Sequence, residues 1–508
     1  MKTKTNRQLK HARLFVFIAL LGLLLGTANV KAQNPEYFWW LFSVKGTDGT
    51  AILDRPVIDR TPPYADYIAS SLTLPSQVTD GNFIYSVSET GDGLSAAQRK
   101  ALTSVSIPNS ITIISGSSFK NSSLQSVTIP SSVNTINNYA FANDSLLVSV
   151  TMPATVTSVQ PHIFESCVSL QSAVILNNTI ETAQFQYCRA LKDVTISNNV
   201  TTIAATVFNG CSSLETLTVP ASVTSFTNNS SSQATNSFGG MTGLKTLNFY
   251  AKNVPINNFN GTTIENLDLT GVETIPTSAF ASCTKLKSLV LSNSLQTIGA
   301  SAFQSDSSLL SVTIPSSVVT AMGIYTFQDC KSLQSATLLN NTIGVYQFYN
   351  CTSLKTVILS NNITSISAYA FGGCTALKDV TVYWATPLSV PASTFNGVNT
   401  QAATLHVPAG TKTLYQAALV WKDFFSIVDD APTAIKTVDN SSFHACFFDN
   451  AIRIESPHAE LISIYSITGK LLYSGKKNEG MIEILFTPIQ GVYIIKGSVS
   501  GTIKVIDN

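Results

Sequence analysis

From Leu102 to Val407 the apolar positions recur in one frame, L-x-x-V-x-I-P-x-x-V-x-x-I, and each frame runs into a Phe before restarting. The clearest copy is Phe119 to Phe141, FKNSSLQSVTIPSSVNTINNYAF. Phe falls at 119, 141, 164, 185, 208, 238, 259, 280, 303, 327, 348, 371 and 395, at intervals of 21 to 24 residues except for one of 30. Thirteen registered copies define a repeat solenoid, in which each coil packs only on its neighbours and the core grows lengthwise.

Within each frame a triplet alternates apolar, polar, apolar, as in Val127-Thr128-Ile129, Val150-Thr151-Met152 and Val312-Thr313-Ile314. Strand alternation sends the flanking residues to the core and the middle one outward. Fourteen triplets, from Val105-Ser106-Ile107 to Leu405-His406-Val407, stack into one parallel sheet. At roughly 4.8 Å per strand that sheet is on the order of 60 Å long. Pro108, Pro130, Pro153, Pro220 and Pro315 follow the strand and end its ladder, because proline has no N–H to donate. The outward column, rich in Thr, is the candidate binding face: Thr128, Thr151, Thr195, Thr218, Asn248, Asp268, Thr313 and Thr337.

The segments outside the repeat read in order. Residues 1–32 have a basic start, an apolar run Leu14–Gly26 and Val30-Lys31-Ala32 before Gln33, the plan of a secretory signal peptide. That run of about 13 residues is shorter than the ~20 a membrane span needs, and no other stretch is long and apolar enough. Residues 33–69 form an N-terminal cap, with a hairpin expected from Phe42–Lys45 and Thr50–Leu53 around Gly46-Thr47-Asp48-Gly49. Trp39 and Trp40 then cover the open apolar end of the first coil, in preference to stacking on a ligand. The solenoid occupies 70–428, and its 30-residue interval holds an insertion, Thr227–Ser237, either a solvated loop or part of a binding face. Trp421 and Phe424 fold over the last coil, beside which Tyr383 and Trp384 pack. A linker at 429–440 leads to 441–508, where short alternating strands such as Ile452–Ile454, Leu461–Ile467 and Gly491–Lys496 predict a small β-sandwich.

Charge narrows the partners. Only 12% of residues are charged, and six of the 30 Lys and Arg lie in residues 1–32. The remainder holds 24 basic against 29 acidic residues, a net of −5, with no basic stripe to attract a nucleic acid. Seven of the eight Cys sit three residues after a corner Phe: Cys167, Cys188, Cys211, Cys283, Cys330, Cys351 and Cys374. One repeated position with a small side chain that tolerates burial reads as reduced core thiols. No C-x-x-C pair or Cys/His cluster suggests a metal or a disulfide framework. The five His are dispersed, Asp193, Asp268 and Asp379 lie several coils apart, and no nucleophile or phosphate-loop motif stands out. No catalytic residue, cofactor or metal is expected.

The repeat L-x-x-V-T-I-P-x-S-V-x-x-I-x-x-x-x-F-x-x-C, with its closing Val407-Pro408-Ala409-Gly410 and Trp421-Lys422-Asp423-Phe424, closely resembles the BspA-type leucine-rich repeat over roughly residues 70–428. The resemblance implies a right-handed solenoid with its strands on the concave side, in secreted or cell-surface proteins. It also implies adhesion to host extracellular-matrix or cell-surface proteins or to other bacterial cells, without catalysis. The tail, with Ile464-Tyr465-Ser466-Ile467-Thr468-Gly469-Lys470 and Gly491-Val492-Tyr493-Ile494-Ile495-Lys496, is similar to the C-terminal sorting domain of type IX secretion cargo. The alternatives to adhesion are a surface spacer or coat without a ligand, and a glycan-binding module.

Overall fold

The computed structural model describes residues 14–17, 39–45, 50–57, 68–79, 84–227, 238, 240–255 and 259–431, and, in the C-terminal unit, 444–448, 451–456, 460–466, 471–477, 480–485, 491–497 and 501–507. The chain divides into two units, Met1–Thr433 and Ala434–Asn508.

In the first unit most coils have three parts. An outer strand such as Ser149–Met152 alternates exposed and buried residues. A turn then leads to a two-residue strand such as Thr135–Ile136, whose second residue is buried. The corner Phe follows, pointing into the coil. The turn closes the same way with or without proline: Val156 N–H donates to Pro153 O at 3.1 Å, and Val200 N–H to Ser197 O at 3.1 Å. Proline does end the ladder, whereas the equivalent N–H of Ser197 continues it to Ile175 O at 3.0 Å.

The corner accounts for the period of the sequence. At most corners the N–H of the Phe, and those of the residues two before and two after it, donate to carbonyls of the next coil. Tyr139, Phe141 and Asn143 donate to Pro161, Ile163 and Glu165 at 3.3, 3.0 and 2.8 Å. The intervening N–H groups turn back within their own coil, as Ala142 does to Tyr139 O at 3.2 Å. Pointing three alternate N–H groups the same way requires left-handed backbone on either side of the Phe. Ser117 and Asn121, Tyr139 and Asn143, and Tyr346 and Asn350 all have φ between 55° and 61°. Each costs an L-residue about 1–2 kcal/mol, which the inter-coil bonds offset. The Phe rings stack in one unbroken column from Phe119 to Phe395, with centroids 4.8 to 6.3 Å apart between neighbours.

The outer strands differ from the expected single sheet. They form sheets of six, four and six strands, with breaks after Asp193–Ile196 and after Ser288–Leu291. The flanking residues Val194, Ile196, Leu289 and Leu291 are half-buried, where the same positions in coils such as Ser149–Met152 and Ser311–Ile314 are buried. The coils splay at these joints, and loss of strand bonds and partial exposure of the core coincide.

The C-terminal end is closed by the expected Trp421, whereas the side chains of Trp39 and Trp40, expected to cover the first coil, lie outside the described residues. Trp39–Lys45 and Thr50–Val57 pair antiparallel, and Phe42, Ala51 and Leu53 join the solenoid core. Thr50–Val57 runs parallel to Ile84–Glu89, which pairs in turn with Ile113–Ile114, so the hairpin begins the short-strand ladder. The turn at 46–49 lies outside the described residues, as does the insertion from 228 onward. The leader assignment also lies outside them except at Leu14–Phe17, a strand antiparallel to Trp39–Phe42. At the other end Trp421 is fully buried, 5.8 Å from the Phe395 ring and 6.0 Å from Trp384. Trp384 donates its indole N–H to Ile363 O at 2.9 Å, which settles it as packing. The linker boundary needs correction: Ser426–Ala431 is a further outer strand, parallel to Thr404–Pro408, so Asp429 to Ala431 belong to the solenoid. Ser426-Ile427-Val428 keeps the polar-apolar alternation, and pairing with the preceding strand gives its backbone partners.

Among the described residues the second unit holds seven strands in antiparallel sheets of three and four. Its first strand, His444–Phe448, has no counterpart among those expected from the sequence. Ile454, Ile462 and Ile464 are fully buried.

The Phe column yields the first prediction. Phe280→Ala removes a fully buried ring between two stacked neighbours and should cost about 3–5 kcal/mol. Chemical denaturation of the variant against the parent measures it.

Candidate binding face

The outward column exists, in three runs. Thr151, Val174 and Thr195 lie opposite one another in the first sheet. Thr218, Asn248, Asp268 and Val290 do so in the second. Thr313, Thr337, Ile358, Thr381 and His406 continue it in the third. Thr128 stands one residue beyond its short strand, Ser126–Val127. Thr128, Thr151, Thr195, Thr218 and Thr313 are exposed, whereas Asn248, Asp268 and Thr337 are half-buried. A second polar column, two residues earlier on the same strands and the same face, runs through Ser149, Ser172 and Asp193 and again through Ser311, Ser335 and Thr356.

The middle sheet is the most cross-linked part of the face. Asn248 Nδ2 donates to Thr218 Oγ1 at 3.2 Å. Asp268 accepts from Tyr250 OH at 3.3 Å and from Thr270 N–H at 3.0 Å. Beside these strands a column of alternating charge pairs Glu215 with Lys245 and Glu265 with Lys287, each at 3.0 Å. Its signal was in the sequence: each residue precedes the same strand position, as Glu215-Thr216-Leu217 and Lys245-Thr246-Leu247 show. Exposed pairs of this kind contribute about 0.2–1 kcal/mol each; their effect is to hold register.

Other side chains come together that the sequence kept apart. His406 sits between two carboxylates at the C-terminal end of the face, its Nδ1 2.8 Å from Asp430 Oδ1 and its Nε2 3.5 Å from Asp379 Oδ1. Reading Asp430 as linker concealed this group. Two residues before the corner Phe, the rings of Tyr325, Tyr346 and Tyr369 stack at 5.4 and 5.1 Å. At the same position Tyr139 stacks on His162 at 4.7 Å, with the Lys120 ammonium 4.4 Å from the tyrosine centroid. These rings are half-exposed. Their faces are taken by one another, which leaves edges and hydroxyls for solvent.

The seven repeat cysteines are buried free thiols. Each Sγ–H donates at 3.2 Å to the carbonyl of the Phe in the preceding coil, Cys167 to Phe141 and Cys374 to Phe348 among them. Burial pushes the thiols of Cys211, Cys283 and Cys374 up to about 12 and the rest well above their ordinary value. A thiol that is not ionised is not a nucleophile or a metal ligand. Among the described residues no three His, Cys, Asp or Glu side chains have the geometry to hold a metal ion. No helix among them is long and apolar enough to cross a membrane.

A chain of stacked parallel coils with short strands, stapled ends and a polar strand face defines a leucine-rich-repeat β-solenoid. The BspA type leucine rich repeat region matches in six copies, over residues 112–236, 225–334 and 341–466, and the chain belongs to that family. Among solved structures it is similar to a leucine rich cell surface protein from Faecalibacterium prausnitzii, at 26% identity over 70% of this chain and 96% of that one, with a TM-score of 0.38. It is also similar to a leucine-rich repeat protein from Bacteroides ovatus, at 20% identity over 67% and 92%, TM-score 0.34. The pneumococcal vaccine antigen PcpA aligns at 18% identity over 79% and 98%, TM-score 0.34. No curated protein matches the chain.

Thiol burial predicts a labelling pattern. At pH 8 a thiol reagent should leave all seven repeat cysteines of the folded chain unmodified and react with them once denaturant is added. Mass spectrometry of the labelled peptides reads the result.

Proposed function

We propose that this protein is a non-catalytic adhesion protein, exported to the cell surface, that binds host extracellular-matrix or cell-surface proteins, or other bacterial cells, through the outward strand face of its solenoid. The observation carrying this reading is the in-register display of exposed hydroxyls at Thr128, Thr151, Thr195, Thr218 and Thr313 over buried strand flanks. Such a face offers many hydrogen-bond donors and acceptors without a charge to desolvate, on a backbone that loses little freedom when a partner docks. In this reading the outer strands line the concave side. The leader at 1–32 starts export. The two sheets of the C-terminal unit pack as a sandwich and carry the type IX sorting signal. Family membership supports the reading by association.

The test is a binding screen of the chain from residue 33 onward against matrix proteins, mucin, whole bacteria and a glycan array. Alongside runs a variant with Lys at Thr128, Thr151 and Thr195. Saturable binding to a protein or cell partner, reduced at least tenfold in the folded triple variant, is the expected result. Equal binding by both chains would move the site off the strand face. A folded chain that binds none of these is a spacer, and one that binds only on the array is a glycan-binding module.

A further inference from the structure

The cysteine column has two substitutions that its packing does not accommodate as charges. Asp144 and Asp306 stand three residues after Phe141 and Phe303, the position held by Cys in seven coils, and both are fully buried. In each, one carboxyl oxygen is satisfied: Asp144 Oδ1 accepts from Ser122 N–H at 2.7 Å, and Asp306 Oδ1 from Cys283 N–H at 2.8 Å. In each, the other oxygen, Oδ2, is buried without a partner. An ionised carboxylate in this position would leave an acceptor unsatisfied inside an apolar column, at a cost no native core sustains without compensation.

We propose that Asp144 and Asp306 are carried as neutral carboxylic acids, oxygen counterparts of the thiols above and below them, and that they form two pH-sensitive joints: the solenoid tightens in acid and loosens at these coils as the pH rises. Protonation places a hydroxyl at the oxygen that has no donor to accept from, in the register where the cysteine coils carry S–H.

The groups around each site favour this state. Asp144 meets Ser122 from the coil before and Cys167 from the coil after. The cation whose charge reaches it is Arg99, whose Nη1 is turned to Leu94 O. Asp306 lies between Cys283 and Cys330, and the Asp329 charge also reaches Cys330. Burial outweighs Ser122 and Arg99 and raises Asp144 from 3.8 to about 8; burial likewise pushes Asp306 well above its ordinary value, against the Cys283 N–H. The sign follows from linkage. The unfolded chain releases these protons near pH 4 and the folded chain retains them. For Asp144 the stabilisation is therefore complete below about pH 4 and lost as the pH rises to about 8, and that from Asp306 is lost in the same direction. Each coupled proton changes the folding equilibrium by up to about tenfold per pH unit in that window.

The test compares thermal unfolding of the full chain with that of the Asp144→Asn, Asp306→Asn double variant from pH 4 to 9. The difference between the curves cancels the titrations both chains share. The parent should lose stability relative to the variant across pH 4 to 8. Infrared difference spectra at pH 6 should show a protonated-carboxyl band in the parent that the variant lacks. If the Asn variant does not fold, Asp144→Cys with Asp306→Cys restores the residue the column otherwise uses and serves the same comparison. Parallel stability curves, or a parent without the protonated-carboxyl band at pH 6, would overturn the proposal.

Discussion

The structure depends on the backbone bonding at the corner of each coil. Three N–H groups, at the Phe and two residues to either side, point along the solenoid axis to the next coil in most of the coils. Between Tyr139 and Pro161 the bond is 3.3 Å, and between Asn350 and Gly372 it is 2.8 Å. The arrangement forces left-handed backbone on residues as varied as Tyr, His, Ser and Thr. It also fixes the spacing between coils, which in turn sets the distance at which the Phe rings stack and the thiols meet the carbonyls. The outer strands are less binding: their ladder breaks twice while the Phe column runs on without interruption.

This division of labour explains where variation is tolerated. The corner interior admits Phe, and three residues later a small donor. Outside it, the face of the solenoid can change residue from coil to coil, since an outward side chain touches only its neighbours in the column. Thr gives way to Val174, Asn248, Asp268 and His406 in one register without disturbing the backbone. The fold thus separates a conserved-geometry spine from a surface free to acquire a partner, and the acidic residues inside the spine at Asp144 and Asp306 stand out for that reason.

The middle of the molecule combines features found less densely elsewhere. The two sheet breaks bound the strands from Thr216 to Leu291, which carry the Glu–Lys column and the bonded Thr218–Asn248 pair. The charge pairs lie between coils whose strands are themselves bonded, and so reinforce register within the middle sheet and do not span its two ends. The insertion preceding Phe238 interrupts the period in this same stretch.

What the amino-acid sequence determined by itself was everything that repeats. The period, the corner Phe, the buried strand flanks, the outward Thr column, the thiol register and the closing Trp421 all follow from local alternation read through thirteen copies, because each coil meets the same neighbours as the last. Tertiary structure decided what depends on a single pair of coils. It divided one expected sheet into three, recruited Ser426–Ala431 as a last strand, and brought Asp430 to His406. It stacked the tyrosines and gave the cysteines their carbonyl partners. It also turned two aspartates, unremarked in a chain with 29 acidic residues, into fully buried groups. Pattern reports which way a side chain faces; only the packed neighbour above and below reports whether its polar atoms find a partner.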